Sequence, residues 1–223
     1  DAGKESFVGF HSMPVRHGMT IGELALMFKD ELKLDVNLQV IPCEGWTRRD
    51  AWDSTGLLWV NPSPNMRNLN QAFLYPGIGL LETTNVSVGR GTDTPFEVIG
   101  SPWIDGRKLA AALNARGLNG VSFIPVEFTP TSSKFANELC GGINIVITDR
   151  AVFEPLRVGF EIAVQLRALF PDKWETKGYL RLLGNDAVHQ AVIDGKAGDE
   201  VESLSRQGIN DFLRRRAKHL LYE

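Results

Sequence analysis

The chain has 223 residues, 43% of them apolar, enough to bury a core without disulfides or metals. A formal net charge of −3 and a pI near 5.9 provide no positive field for phosphate backbones or anionic lipid, so nucleic acid is not an expected partner. No apolar run approaches the roughly 18 residues of a membrane-spanning helix. The opening residues show no basic stretch leading into an apolar one, which places any export signal outside this sequence.

Thr20, followed three residues later by Glu23, is a capping box, and Leu24, Leu26, Met27, Phe28 and Leu32 continue an amphipathic helix to about Lys33. Asp35 to Pro42 then alternates, with Val36, Leu38 and Val40 on one face, and predicts a strand. Helix then strand at this distance is an α/β signature. Glu44 to Met66 holds Trp46, Trp52, Trp59, Pro62 and Pro64 and reads as a long irregular segment. Helical stretches at Leu69 to Leu74 and Ile78 to Leu81 are expected to be split by Pro76-Gly77, and Glu82 to Pro102 returns to loop. A helix over Asp105 to Ala115 closed by Gly117, strands over Val121 to Phe128 and Gly142 to Thr148, and a helix over Glu154 to Phe170 closed by Pro171 follow. A short helix at Asp186 to Asp194 and a final one from Asp199 to about Leu221 complete the reading. The Pro102 break divides the chain into a first unit, 1–102, and a second, 103–223.

Cys43 and Cys140 have no CxxC or Cys/His cluster beside them, which disfavours zinc; they read as free buried thiols, with a long-range disulfide as the alternative. No metal and no cofactor are expected. Gly89-Arg90-Gly91 and Gly77-Ile78-Gly79 lack the third glycine of a dinucleotide fingerprint, with Thr94 and Glu82 at that place, and no G-x-S-x-G, HExxH or P-loop occurs.

The densest polar feature runs from Glu82 to Thr92, where a carboxylate, an amide (Asn85), hydroxyls and a guanidinium (Arg90) share one loop. Such a mixture suits a ligand rich in hydroxyls, since it supplies paired donors and acceptors; the alternative is an ordered loop whose side chains only satisfy its own turns. Arg16 and His17 precede a helix amino terminus and are placed to meet an anionic or acetamido group there, or else to pair internally. Trp46, Trp52 and Trp59 offer faces for sugar rings or serve as packing. Glycosidic hydrolysis asks for two acidic groups about 5 to 9.5 Å apart, or one acid with substrate assistance; Glu82 is the best-placed carboxylate, with Asp93 and Glu97 near it in sequence.

The strings from Phe7-Val8-Gly9 through Pro14-Val15-Arg16-His17-Gly18-Met19-Thr20 to Leu24, Pro62-Ser63-Pro64-Asn65-Met66, and Tyr75-Pro76-Gly77 through Leu81 to Asn85 closely resemble the bacterial exo-β-N-acetylmuramidase family. Gly89 to Thr92, Pro95-Phe96-Glu97, Gly100 to Ile104 and Leu220-Leu221-Tyr222 continue the resemblance over nearly the whole chain. The family was long described as a domain of unknown function. The resemblance implies a glycoside hydrolase that releases terminal N-acetylmuramic acid from the non-reducing end of peptidoglycan fragments, secreted or periplasmic. It implies an α/β architecture: the end of a Rossmann-like domain, finished by the helix and strand from Thr20 to Pro42, followed by a smaller α+β domain with the site in the cleft between them. The family's catalytic glutamate is expected in a Pro-Glu-His-Gly-like string of the amino-terminal half, and no such string occurs here; this chain therefore resembles the carboxy-terminal half, with the other half as its partner. Leu204 stands where a tryptophan is expected. On this resemblance Glu82, Asn85 and Arg90 are candidate substrate contacts, with Arg16, His17 and Asn65 behind them. A non-catalytic muropeptide-binding or scaffold module is the alternative.

Overall fold

Thr20 opens the first helix as its capping box predicts. In the computed structural model, which describes residues 3–223, α1 spans Ile21–Glu31. The Thr20 hydroxyl accepts from the Glu23 amide at 3.3 Å, and the Glu23 carboxylate accepts from the Thr20 amide at 2.7 Å. Asp35 to Pro42, expected as a strand, pairs with no strand among the described residues, and Val36 and Ile41 are exposed. An alternating sequence supplies one face of a strand, but the ladder needs a neighbour.

Helix α2, Leu69–Ile78, is capped by Asn68, whose side chain accepts from the Gln71 amide at 2.9 Å. It runs through Pro76 and continues as a 3-10 turn, Gly79–Leu81, where a split was expected. Proline removes a single backbone bond near the end of the helix, and packing fixes the rest: Leu74, Gly77 and Ile78 are all buried. The remaining elements are β1 (Val98–Ser101), α3 (Gly106–Asn114), β2 (Val121–Phe128), β3 (Cys140–Ile147) and α4 (Pro155–Leu169). After them come α5 (Leu180–Leu183), α6 (Asp186–Ile193), α7 (Gly198–Ser205) and α8 (Ile209–Ala217). Strand β1 lies within the stretch expected as loop; its four residues are all buried, too few for an alternation to show. The expected final helix breaks into α7 and α8 at Gly208, which takes a left-handed conformation (φ 77°).

The three strands form an antiparallel sheet in the order β1-β3-β2, with Ile99 opposite Ile143 and Phe123 opposite Ile145. Pro102, where the first unit was expected to end, directly follows β1, whose partner β3 lies in the second. Helices α3 and α4 pack with this layer, and α2 crosses α4 backbone to backbone. A Cβ at Gly77 would overlap the Pro155 carbonyl, and one at Gly159 would overlap Gly77. The core runs continuously from Leu74 to Val201, and Leu204 packs at its edge in place of the expected tryptophan. No helix among the described residues is long and apolar enough to cross a membrane.

Residues before Met66 contribute no side chain to that core and are fastened by polar contacts. Glu23, fully buried, accepts from Arg48 at 2.5 Å and from the Leu221 amide at 2.8 Å, while the Arg48 amide donates to the Glu223 carbonyl at 2.8 Å. Burial alone would raise the Glu23 pKa; bonds from Arg48 and the Thr20 and Leu221 amides outweigh it and hold the carboxyl at about 2. Glu31 is likewise held at about 2, chiefly by Arg215, with His11 adding a bond at 2.7 Å.

Both cysteines are free, but Cys43 is exposed, a correction to the expectation that both are buried. Its neighbours Pro42 and Glu44 lie in irregular, exposed chain, where apolar sequence context is a poor guide to burial. Burial pushes the Cys140 thiol up to about 11, with Glu138 adding to the effect. Alkylation with iodoacetamide at pH 8 is therefore expected to label Cys43 at least roughly tenfold faster than Cys140, read by peptide mass spectrometry. Equal labelling of the native protein would contradict the fold around β3.

Candidate functional site

The 3-10 turn after α2 ends at Glu82, and the chain then re-enters the core through Val86 and Val88 before turning out at Gly89. This returns Arg90 to Glu82. The Arg90 Nη2 donates to Glu82 Oε2 at 3.1 Å, and Nε pairs with the other carboxylate oxygen. The guanidinium also lies over the ring of buried Phe96, 5.2 Å from its centroid. Both charged side chains are more than a quarter exposed, so the pair is fixed from below and open from above.

The loop between β2 and β3 braces this pair. Its Lys134 ammonium donates to the backbone carbonyls of Glu82 and Thr84, and the Thr131 amide and hydroxyl donate to the Gly91 carbonyl at 2.8 and 2.9 Å. Burial lowers the Lys134 pKa, against the opposing pull of Glu82. The neighbouring acids are engaged elsewhere. Glu97 Oε1 accepts from Gln71 at 2.8 Å and Asn68 at 3.0 Å, and Asp93 pairs with Arg67 at 3.2 Å.

The other expected contacts sit differently. Asn85 occupies the turn after Glu82, but its amide nitrogen donates to the Lys173 carbonyl at 2.8 Å and its oxygen accepts from the Glu175 amide at 2.9 Å. It ties the turn to the chain after α4. Arg16 is exposed beside a separate groove of about 250 Å³ lined by Leu69, Ala72, Phe73, Pro76 and Pro155. His17 Nδ1 accepts from the Met19 amide at 3.2 Å, and burial, helped by Arg216, lowers its pKa. The helix amino terminus beyond them is already served by Thr20 and Glu23. Asn65 lies in the Ser63–Met66 turn, two residues before Arg67. Among the described residues, Arg16, His17 and Asn65 make no hydrogen bond or ion pair with Glu82 or Arg90.

The tryptophans pack. Trp46 meets Tyr222 edge-on at 4.9 Å, Trp52 meets Trp59 at 5.9 Å, and Trp59 Nε1 donates to the Met66 carbonyl. No group of three His, Cys, Asp or Glu among the described residues is arranged to hold a metal. Lys134 and Gln71 are the residues that sequence reading missed. Gln71 is fully buried and aimed at Glu97, and Lys134 lies 52 positions from Glu82 with no motif around it.

The arrangement thus presents an ion pair, a half-buried lysine and an aromatic floor on one surface. The sequence profile described as "Exo-beta-N-acetylmuramidase NamZ, C-terminal" matches residues 73–222, and the corresponding amino-terminal profile matches residues 1–70. The chain belongs to the NamZ family. It is 39% identical over 220 residues to the peptidoglycan beta-N-acetylmuramidase NamZ of Bacillus subtilis (strain 168), covering 97% of this chain and 53% of that protein. The chain thus spans about half the length of this NamZ relative. Two crystal structures of DUF1343 family proteins from Bacteroides fragilis NCTC 9343 superpose on the whole chain with TM-scores of 0.83 and 0.80, at 29% and 31% identity, covering 61% of each. This chain's mixed helices and strands with a small antiparallel sheet are therefore a fold it shares with these two DUF1343 proteins.

Proposed function

We propose that this chain is part of a glycoside hydrolase that releases terminal N-acetylmuramic acid from the non-reducing end of peptidoglycan fragments. The observation that carries the reading is the partly exposed Glu82–Arg90 pair on Phe96, within a chain 39% identical to a peptidoglycan beta-N-acetylmuramidase. A planar guanidinium grips a carboxylate with two parallel bonds, and muramic acid differs from glucosamine by a lactyl carboxylate. Arg90, with one terminal nitrogen beyond those facing Glu82, is the group that reads it; Arg16 is the second choice, at the rim of its own groove. Asn85 keeps one N–H and one lone pair for a sugar hydroxyl beyond its structural bonds. His17 and Asn65 stay candidates only for contacts with more distant parts of the ligand.

Glu82, facing Arg90, serves as an acceptor, so the proton that a glycosidic leaving group requires comes from an acid outside this chain. The remainder of the protein, on this reading, completes a Rossmann-like domain whose sheet receives Asp35 to Pro42 as a strand. Support comes from the exposed apolar residues before α2, Phe7, Ile21, Ile41 and Leu58 among them, all more than 80% exposed. Secretion or a periplasmic location follows from the substrate. The engagement of Glu82, Asp93 and Glu97 in internal pairs favours, as the second reading, a module that binds muropeptides without turning them over.

A chromogenic N-acetyl-β-muramide separates the readings. Release only by the chain extended at its amino terminus supports the hydrolase with an acid outside these residues; release by the 223-residue chain assigns the chemistry to Glu82 or a neighbour. Binding without release by either supports the module, and neither binding nor release removes both.

A further inference from the structure

We infer that Lys134 is a positioning residue, whose ammonium caps the carbonyl end of the turn bearing Glu82 and so holds the Glu82–Arg90 pair ready for a carboxylate-bearing sugar. The identity of that sugar rests on the proposed function; the clamp itself does not.

The last carbonyls of a helix have no partner within it. Here α2 and its 3-10 extension end at Glu82, and the carbonyls of Glu82 and Thr84 both receive Lys134, from a loop 50 or more positions further along the chain. The same loop holds the other side of the pair. Thr131 bonds the Gly91 carbonyl twice, and Gly91 lies so close to Ser132 that a Cβ there would overlap its backbone. One loop therefore fixes both segments that carry the ion pair. Its shape is strongly determined, for Ser133, Phe135 and Asn137 all take positive φ (69°, 58° and 65°), a conformation that non-glycine residues hold only where surroundings enforce it. The charges add a reason for lysine rather than an apolar filler. Glu82, Arg90 and Lys134 together carry one excess positive charge, which an anionic ligand would neutralise.

The test compares Lys134→Met and Lys134→Arg in the 223-residue chain. The Arg90 Nε–H, assigned by its loss in Arg90→Met, reports the pair through its exchange with water. Lys134→Met is expected to accelerate that exchange about tenfold, with the β2–β3 amides unchanged, while Lys134→Arg, which keeps charge and donors, stays close to wild type. Titration with N-acetylmuramic acid should show a similar loss of affinity in Lys134→Met, and none beyond that of Arg90→Met when the two are combined. An Arg90 Nε–H unaffected by Lys134→Met overturns the inference, and so does uniform acceleration of every amide, which marks a merely structural lysine. If the wild-type chain ignores N-acetylmuramic acid, the ligand assignment falls while the exchange comparison still decides the clamp. Lys134→Gln substitutes should the methionine variant not fold.

Discussion

Replacing Arg90 with methionine is expected to erase most of the preference for N-acetylmuramic acid over N-acetylglucosamine, a loss of roughly 10- to 100-fold in the affinity ratio. That range corresponds to one charged hydrogen-bonding group, about 1.5 to 3 kcal/mol. The direction follows from geometry. Arg90 faces Glu82 with Nε and Nη2 and rests on Phe96, which orients the guanidinium and leaves Nη1 uncommitted among the described residues. Methionine keeps the contact with the ring but has no donor, so the acetamido sugar should bind as before and only the carboxylate-bearing one should suffer. Arg16→Met serves as the comparison, because Arg16 shares no bond with this pair. Competition binding to the intact protein with the two sugars measures the ratio. If it survives in Arg90→Met and collapses in Arg16→Met, the carboxylate belongs in the groove beside α2, and Glu82 with Arg90 is a structural pair.

Much of this surface was legible beforehand because it is local. Glu82, Asn85 and Arg90 fall within nine positions, and a polar loop flanked by glycines is visible in any single sequence. What stayed hidden was the partner supplied by topology: Lys134 meets Glu82 only because β2 and β3 lie side by side and their connection folds over the turn. Local signals also served the helices well, through Thr20 with Glu23 and through Pro171 just after α4. They failed where the outcome depends on a neighbour. Asp35 to Pro42 has the alternation of a strand but no paired strand, and Val98 to Ser101 has no alternation yet pairs with β3 on a fully buried edge of the core. Asn85 shows the same limit from the other side. Its type and place suggested a ligand contact, while the fold uses both ends of its amide to hold the chain after α4.

Arg48→Met is expected to have the largest effect on stability, about 3 to 5 kcal/mol at neutral pH, because it strips the main partner from a carboxylate with no exposure. The loss would also depend on acid. Glu23 has a folded pKa of about 2 against an ordinary value of 4.5, so its contribution is fully present above pH 4.5 and lost as pH falls toward 2. The shift amounts to roughly 3 kcal/mol at pH 7 and less than half of that at pH 3. Glu31, depressed to the same level by Arg215, titrates in the same window in both proteins and cancels from their difference. Thermal melts of wild type and Arg48→Met should therefore differ widely at pH 7 and draw together by pH 3. The physical locus is specific, since Arg48 and Glu23 join α1 to the Leu221–Glu223 end while the apolar core lies elsewhere. Hydrogen exchange should accordingly show the amides of Arg48 and Leu221 opening first on acidification, ahead of β3. A deficit independent of pH, or opening that begins in the sheet, would mean that the first 60 residues are held by something other than this knot.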